Sequence, residues 1–113
     1  MASGTVKKAT KPFEVDTGIS GVTAWKSGNM VTLFIASQVT NTTAGWKTLG
    51  TLPASLKPAA QIIFCGYNNS TNSYSTNVVQ DCMLGMNGLL SAYLFSSNLS
   101  IELRATVTYP TSN

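Results

Sequence analysis

Apolar and polar residues alternate with a period of two through most of this chain, and the alternation stops at glycines, prolines and short polar runs. "PFEVDTG" sets Phe13 and Val15 against Glu14 and Asp16, as a half-buried strand does, and Gly18 and Gly21 then break it. In "VTAWKSGNMVTLFIASQVT", residues 22–26 and 30–39 read as the two arms of a hairpin turning at Gly28 and Asn29. "TNTTAG" is a polar loop, and "WKTLGTL" alternates again as far as Pro53. The prolines of "PASLKPA", Pro53 and Pro58, cannot donate to a ladder, so this segment is predicted to pass outside a sheet as a corner, with Leu52 plugged into the core. "AQIIFCGY" follows as an apolar strand, and "NNSTNSYSTN", residues 68–77, as a polar loop. "VVQDCMLGM" and "LLSAYLF" form a second hairpin around Asn87 and Gly88, predicted as a type I′ turn with both residues at positive φ. In "IELRATVTY", Ile101, Leu103, Ala105, Val107 and Tyr109 share one face and Glu102, Arg104, Thr106 and Thr108 the other. No window has helical period with caps. The expectation is a single all-β domain, an antiparallel jelly-roll-like sandwich or barrel.

Composition narrows the function. Charged residues make up 10% of the 113 positions, where about a quarter is usual. A surface built from Ser, Thr and Asn suits sugars or other neutral polyols better than ions. The formal charge is +3, but Lys7, Lys8 and Lys11 fall within the first eleven residues. Beyond them Lys26, Lys47, Lys57 and Arg104 balance Glu14, Asp16, Asp81 and Glu102. Residues 1–11 therefore read as a flexible basic segment, left from a stem or from expression, and residues 12–113 as the β domain. A near-neutral domain lacks the footprint of a nucleic-acid binder, and no apolar run has the length of a membrane span. Cys65 and Cys82 sit singly in apolar strands, which favours small buried thiols, with a bridge between them the alternative.

The chain has no histidine and no Gly-x-Ser-x-Gly elbow, so a Ser or Cys nucleophile lacks its usual base and presentation. Four carboxylates, two of them on the solvent side of one strand, make poor material for a glycosidase pair or a cation site. No catalytic residue, metal or cofactor is expected. Binding is better supported. The loop of residues 68–77 surrounds Tyr74 with amides and hydroxyls and has Tyr67 at its base; amides match the paired hydroxyls of a sugar, and a Tyr ring stacks on its apolar face. The candidate saccharide-binding residues are Tyr67, Asn68, Asn69, Asn72 and Tyr74, with Trp46 as a neighbouring platform. The alternatives are a solvated connector for the loop, and packing roles for Trp46 and, more strongly, for Trp25.

The order of the segments resembles the head domains of bacteriophage tail-fibre and baseplate receptor-binding proteins, of the type found in siphophages of Gram-positive bacteria. That family has a "W-x-x-x-G-N-x-V" hairpin, an "lg-t-L-P-x-x-x-x-P" segment and a final strand closing on Tyr. Here these are Trp25, Gly28, Asn29 and Val31; Leu49, Gly50, Thr51, Leu52, Pro53 and Pro58; and Tyr109. "ASLKP" stands where a Gly-Tyr-Arg form is commoner. The resemblance covers residues 22–109. It implies a homotrimeric head of the virion tail tip, made in the host cytoplasm, joined to other tail or baseplate proteins through the upstream chain and binding a bacterial cell-wall saccharide. It implies no catalytic residues. A purely structural trimerisation or capping domain is the alternative, and a cellular lectin-like module a third.

Overall fold

The computed structural model describes residues 11–40, 42–68, 79–95 and 100–112. Their period-two pattern becomes eight strands: β1 (Phe13–Val15), β2 (Val22–Ser27), β3 (Met30–Thr40), β4 (Gly45–Thr51), β5 (Ile62–Asn68), β6 (Val79–Leu84), β7 (Leu89–Leu94) and β8 (Ser100–Pro110). All pairings are antiparallel, and the strands form one curled sheet in the order β1-β2-β3-β8-β5-β6-β7-β4. The described residues make one compact all-β domain.

The spine is the pairing of the two longest strands. In β3 and β8, Val31 faces Tyr109, Leu33 faces Val107, Ile35 faces Ala105 and Val39 faces Ile101, so one phase of both strands points inward. The other half of the core comes from Cys82, Leu84, Leu90, Ala92 and Leu94. The sheet bends where β5 meets β8: the pairing there is confined to Tyr67 with Arg104 and Asn68 with Leu103. Gly66 permits the approach, since a Cβ on it would lie 2.7 Å from the Arg104 carbonyl oxygen.

One end of the domain is closed by the proline segment. Pro53 stops β4, a 3-10 turn (Ala54–Leu56) follows, and Leu52 and Leu56 are buried. Tyr109 donates its hydroxyl to the Leu56 carbonyl at 2.7 Å. Backbone bonds from Leu52 N–H to Gly88 O, Ser112 N–H to Lys57 O and Thr111 N–H to Asn29 O tie the corner to both hairpin turns and to the end of β8. The corner predicted from the two prolines is therefore present and is structural.

The β6–β7 turn corrects the expected type I′ geometry. Gly88 N–H bonds Gly85 O and Gly85 N–H bonds Leu89 O, which makes a three-residue loop with Gly88 at φ +87° behind a turn centred on Met86 and Asn87. Asn87 serves the turn through its side chain, Oδ1 accepting from Leu89 N–H at 3.0 Å.

Candidate functional site

The outer phase of β3, β8 and β5 carries the chemistry. Because Val31, Leu33 and Ile35 point inward, Phe34 must point outward, where it is 45% exposed opposite Thr106. On β5 the same logic puts Cys65 and Tyr67 outside and Phe64, Gly66 and Asn68 inside. Tyr67 is 45% exposed and registers with Arg104, which registers in turn with Ala36. Where β5 splays from β8 these residues line an open groove of about 610 Å³, mostly apolar, with Phe34, Cys65, Tyr67 and Arg104 as its side-chain features.

Arg104 is half-buried there and donates from one guanidinium nitrogen to the Leu103 carbonyl at 3.3 Å. The neighbouring outer face of β2 and β3 extends the apolar surface through Trp25 and Met30 to a shallow depression of about 530 Å³ that shares Phe34. Thr106 lines the first depression and Ser27 and Thr32 the second, and the hydroxyls of Thr32 and Thr108 are bonded to each other at 2.9 Å.

Three of the six residues expected from sequence, Tyr67, Asn68 and Trp46, are among the described residues, and of these Tyr67 alone lines the groove. Tyr67 is exposed in the groove. Asn68, its neighbour, is fully buried, and its Oδ1 accepts from Glu102 N–H at 3.0 Å. It pins the corner between β5 and β8, so its amide oxygen serves the fold. The phase of "IIFCGYN" carried that signal, since Ile62, Phe64, Gly66 and Asn68 share one side of the strand. Asn69, Asn72 and Tyr74 lie outside the described residues. Trp46 stands at the start of edge strand β4, where it is 48% exposed and packs edge-to-face on Tyr93 of β7, ring centroids 5.4 Å apart.

The packing alternative for both tryptophans is corrected: Trp46 and Trp25 occupy the outward phase of their strands, and neither enters the core. The cysteines divide in the same way. Cys82 is buried, and burial pushes its thiol up to about 12, whereas Cys65 is exposed in the groove, against the expectation of two buried thiols. Neither is in a disulfide. Phe34 and Arg104 were not expected from sequence. Each was legible as a large or charged side chain on the outward phase, but their meeting with Tyr67 depends on the long-range order β3-β8-β5.

No helix among the described residues is long and apolar enough to cross a membrane. Among the same residues no group of three metal-ligating side chains occurs. No protein-family model matches the sequence, and no curated protein matches it.

Proposed function

We propose that the domain is a carbohydrate-binding head that attaches a phage tail to its bacterial host, with Tyr67 as a principal contact. The observation that carries this reading is the set of half-exposed aromatic rings, Phe34, Tyr67, Trp46 and Tyr93, held on rigid strands within a surface of neutral hydroxyls. Such rings supply flat apolar faces for pyranose stacking at little entropic cost, and the surrounding hydroxyls supply adaptable hydrogen bonds. The reading includes a jelly-roll-like homotrimer: the β3–β4 and β7–β8 connections each pass from one half of the sheet to the other, as alternation between two layers requires. It also includes a place in the virion tail, attached through upstream chain, with a cell-wall saccharide as receptor and no chemistry performed on it. Three copies would turn weak single-site affinity into useful avidity.

The test is attachment of the purified domain to bacterial cells and isolated cell-wall polysaccharide. Wild type is expected to bind, and Tyr67→Ala to lose at least tenfold in affinity with its melting temperature unchanged. Unaltered attachment by Tyr67→Ala would remove Tyr67 from the site.

The apolar depression formed by Trp25, Met30 and Phe34 favours a second reading, a trimerisation or capping domain whose outer face is covered by another copy. Light scattering separates the parts of this question. A stable monomer at micromolar concentration contradicts the trimer in both readings, and a trimer that attaches to no cell or polysaccharide favours the structural one.

A further inference from the structure

We infer that the groove between Phe34 and Tyr67 selects acidic saccharides, with the Arg104 guanidinium receiving a carboxylate or phosphate group carried on the sugar. The inference rests on the carbohydrate-binding reading above and specifies the ligand class at that site.

The argument begins with charge. The four carboxylates of the chain are Glu14, Asp16, Asp81 and Glu102, and all belong to described residues. By register, Glu102 is the next outward residue along β8, opposite Gln38, and Asp81 on β6 is the cross-strand partner of Cys65. Among the described residues no carboxylate forms an ion pair with Arg104. A guanidinium has five N–H donors in a planar fork, and among the described residues its acceptor is the Leu103 carbonyl at 3.3 Å. A half-buried cation in a mostly apolar groove, with most of its donors unused by the described residues, is complementary to an oxyanion: two parallel N–H···O bonds to a carboxylate or phosphate would use the fork.

The walls define what carries the anion. Tyr67 is the cross-strand partner of Arg104, and Phe34 lies diagonally across β8 beside Thr106; rings at these positions are within side-chain reach of Arg104. The ligand must therefore present an anionic group at the edge of a body with an apolar face, which an acidic pyranose does.

Matched polysaccharides test this. Polygalacturonate against galactan reads carboxylate, and phosphomannan against mannan reads phosphate. The wild-type domain is expected to bind at least one acidic polymer at least tenfold more tightly than its neutral counterpart. That preference should shrink as salt is raised from about 0.1 M to 1 M, which shortens the screening length from about 10 Å to about 3 Å. Arg104→Gln should abolish the preference, and Arg104→Lys, which keeps charge without the fork, should retain part of it, both with unchanged melting temperature.

Cys65 places the ligand independently of any variant, because its exposed thiol lines the same groove whereas Cys82 is buried. The bound acidic polymer should slow alkylation of Cys65 several-fold. Equal binding to the neutral and acidic members of both pairs would overturn the inference and leave the carbohydrate reading standing. Binding to none of the four polymers would overturn both. Acid-selective binding with no protection of Cys65 would remove the site from this groove, and that result decides the question even if Arg104→Gln does not fold.

Discussion

Two tyrosines mark two regions of this domain built from the same kinds of residue for opposite ends. At the closed end Tyr109 is 1% exposed, its ring packed with Val31, Leu52 and Leu56 in the core and its hydroxyl bonded to the Leu56 carbonyl. At the bend between β5 and β8, Tyr67 stands half in solvent beside Arg104, which has no carboxylate partner among the described residues. The closed end satisfies its polar groups internally, through the bonds joining residues 52–58, the two hairpin turns and residues 110–112. Among the described residues, the outer groove leaves rings, a thiol and guanidinium donors open. Internal satisfaction marks architecture, and unspent capacity on a rigid strand marks a place for a ligand.

Substitutions at the closed end should be costly, and those on the outer face nearly silent for stability. Tyr109→Ala should cost about 3–5 kcal/mol in urea unfolding, as loss of a buried aromatic does. Tyr109→Phe should cost about 1 kcal/mol, because only the hydroxyl's bond to Leu56 O is lost. Next comes Gly88→Val, at about 2–4 kcal/mol: the residue sits at φ +87°, and a Cβ there would lie 2.9 Å from the Leu52 carbonyl oxygen. An unchanged midpoint would mean that the β6–β7 turn and the proline corner do not meet as described.

Raising the pH should also separate interior from exterior. Burial pushes the Cys82 thiol from 9.0 to about 12 and moves the Tyr109 hydroxyl upward as well. Each is held neutral in the folded chain and ionises more readily once unfolded. Stability contributed by Cys82 is therefore intact below about pH 9 and lost as pH rises toward 12. A pH series of melting temperatures should fall through that window, and Cys82→Ala should make the fall shallower. Trp46→Ala should cost only about 1 kcal/mol, the worth of its edge-to-face contact with Tyr93. Tyr67→Ala should stay within about 0.5 kcal/mol of wild type. A loss of 3 kcal/mol or more at Trp46, measured the same way, would show that its ring is buried in solution, as a subunit interface would make it.

Much of this contrast is legible along the chain. Alternation in residues 101–109 separates the two faces of β8 correctly, residues 30–39 are legible as its long partner strand, and the two prolines mark the corner. Gly88 is foreseen as a positive-φ residue, while the turn around it is one residue longer than the dipeptide signal implies, because Gly85 rather than Met86 accepts the closing bond. Trp25 and Asn68 stand opposite to what their residue types suggest, because strand phase overrides residue type, while Trp46 takes the exposed one of its two expected places. An aromatic ring in a strand suggests the core and an amide beside a polar loop suggests the surface, yet Trp25 occupies an outward position and Asn68 an inward one. The groove itself was not legible, since it exists only where three strands far apart in sequence meet and β5 splays from β8.

The central claim is that ligand binds the outer groove while the closed end is architecture. Backbone amide shifts of the isotope-labelled domain, recorded while a bound cell-wall or acidic polysaccharide is titrated in, test it most directly. The account predicts perturbations concentrated at residues 34–36, 65–67 and 104–106, with residues 52–58 and 85–88 unmoved. Perturbations confined to residues 52–58 and 85–88, with Phe34, Tyr67 and Arg104 silent, would contradict it.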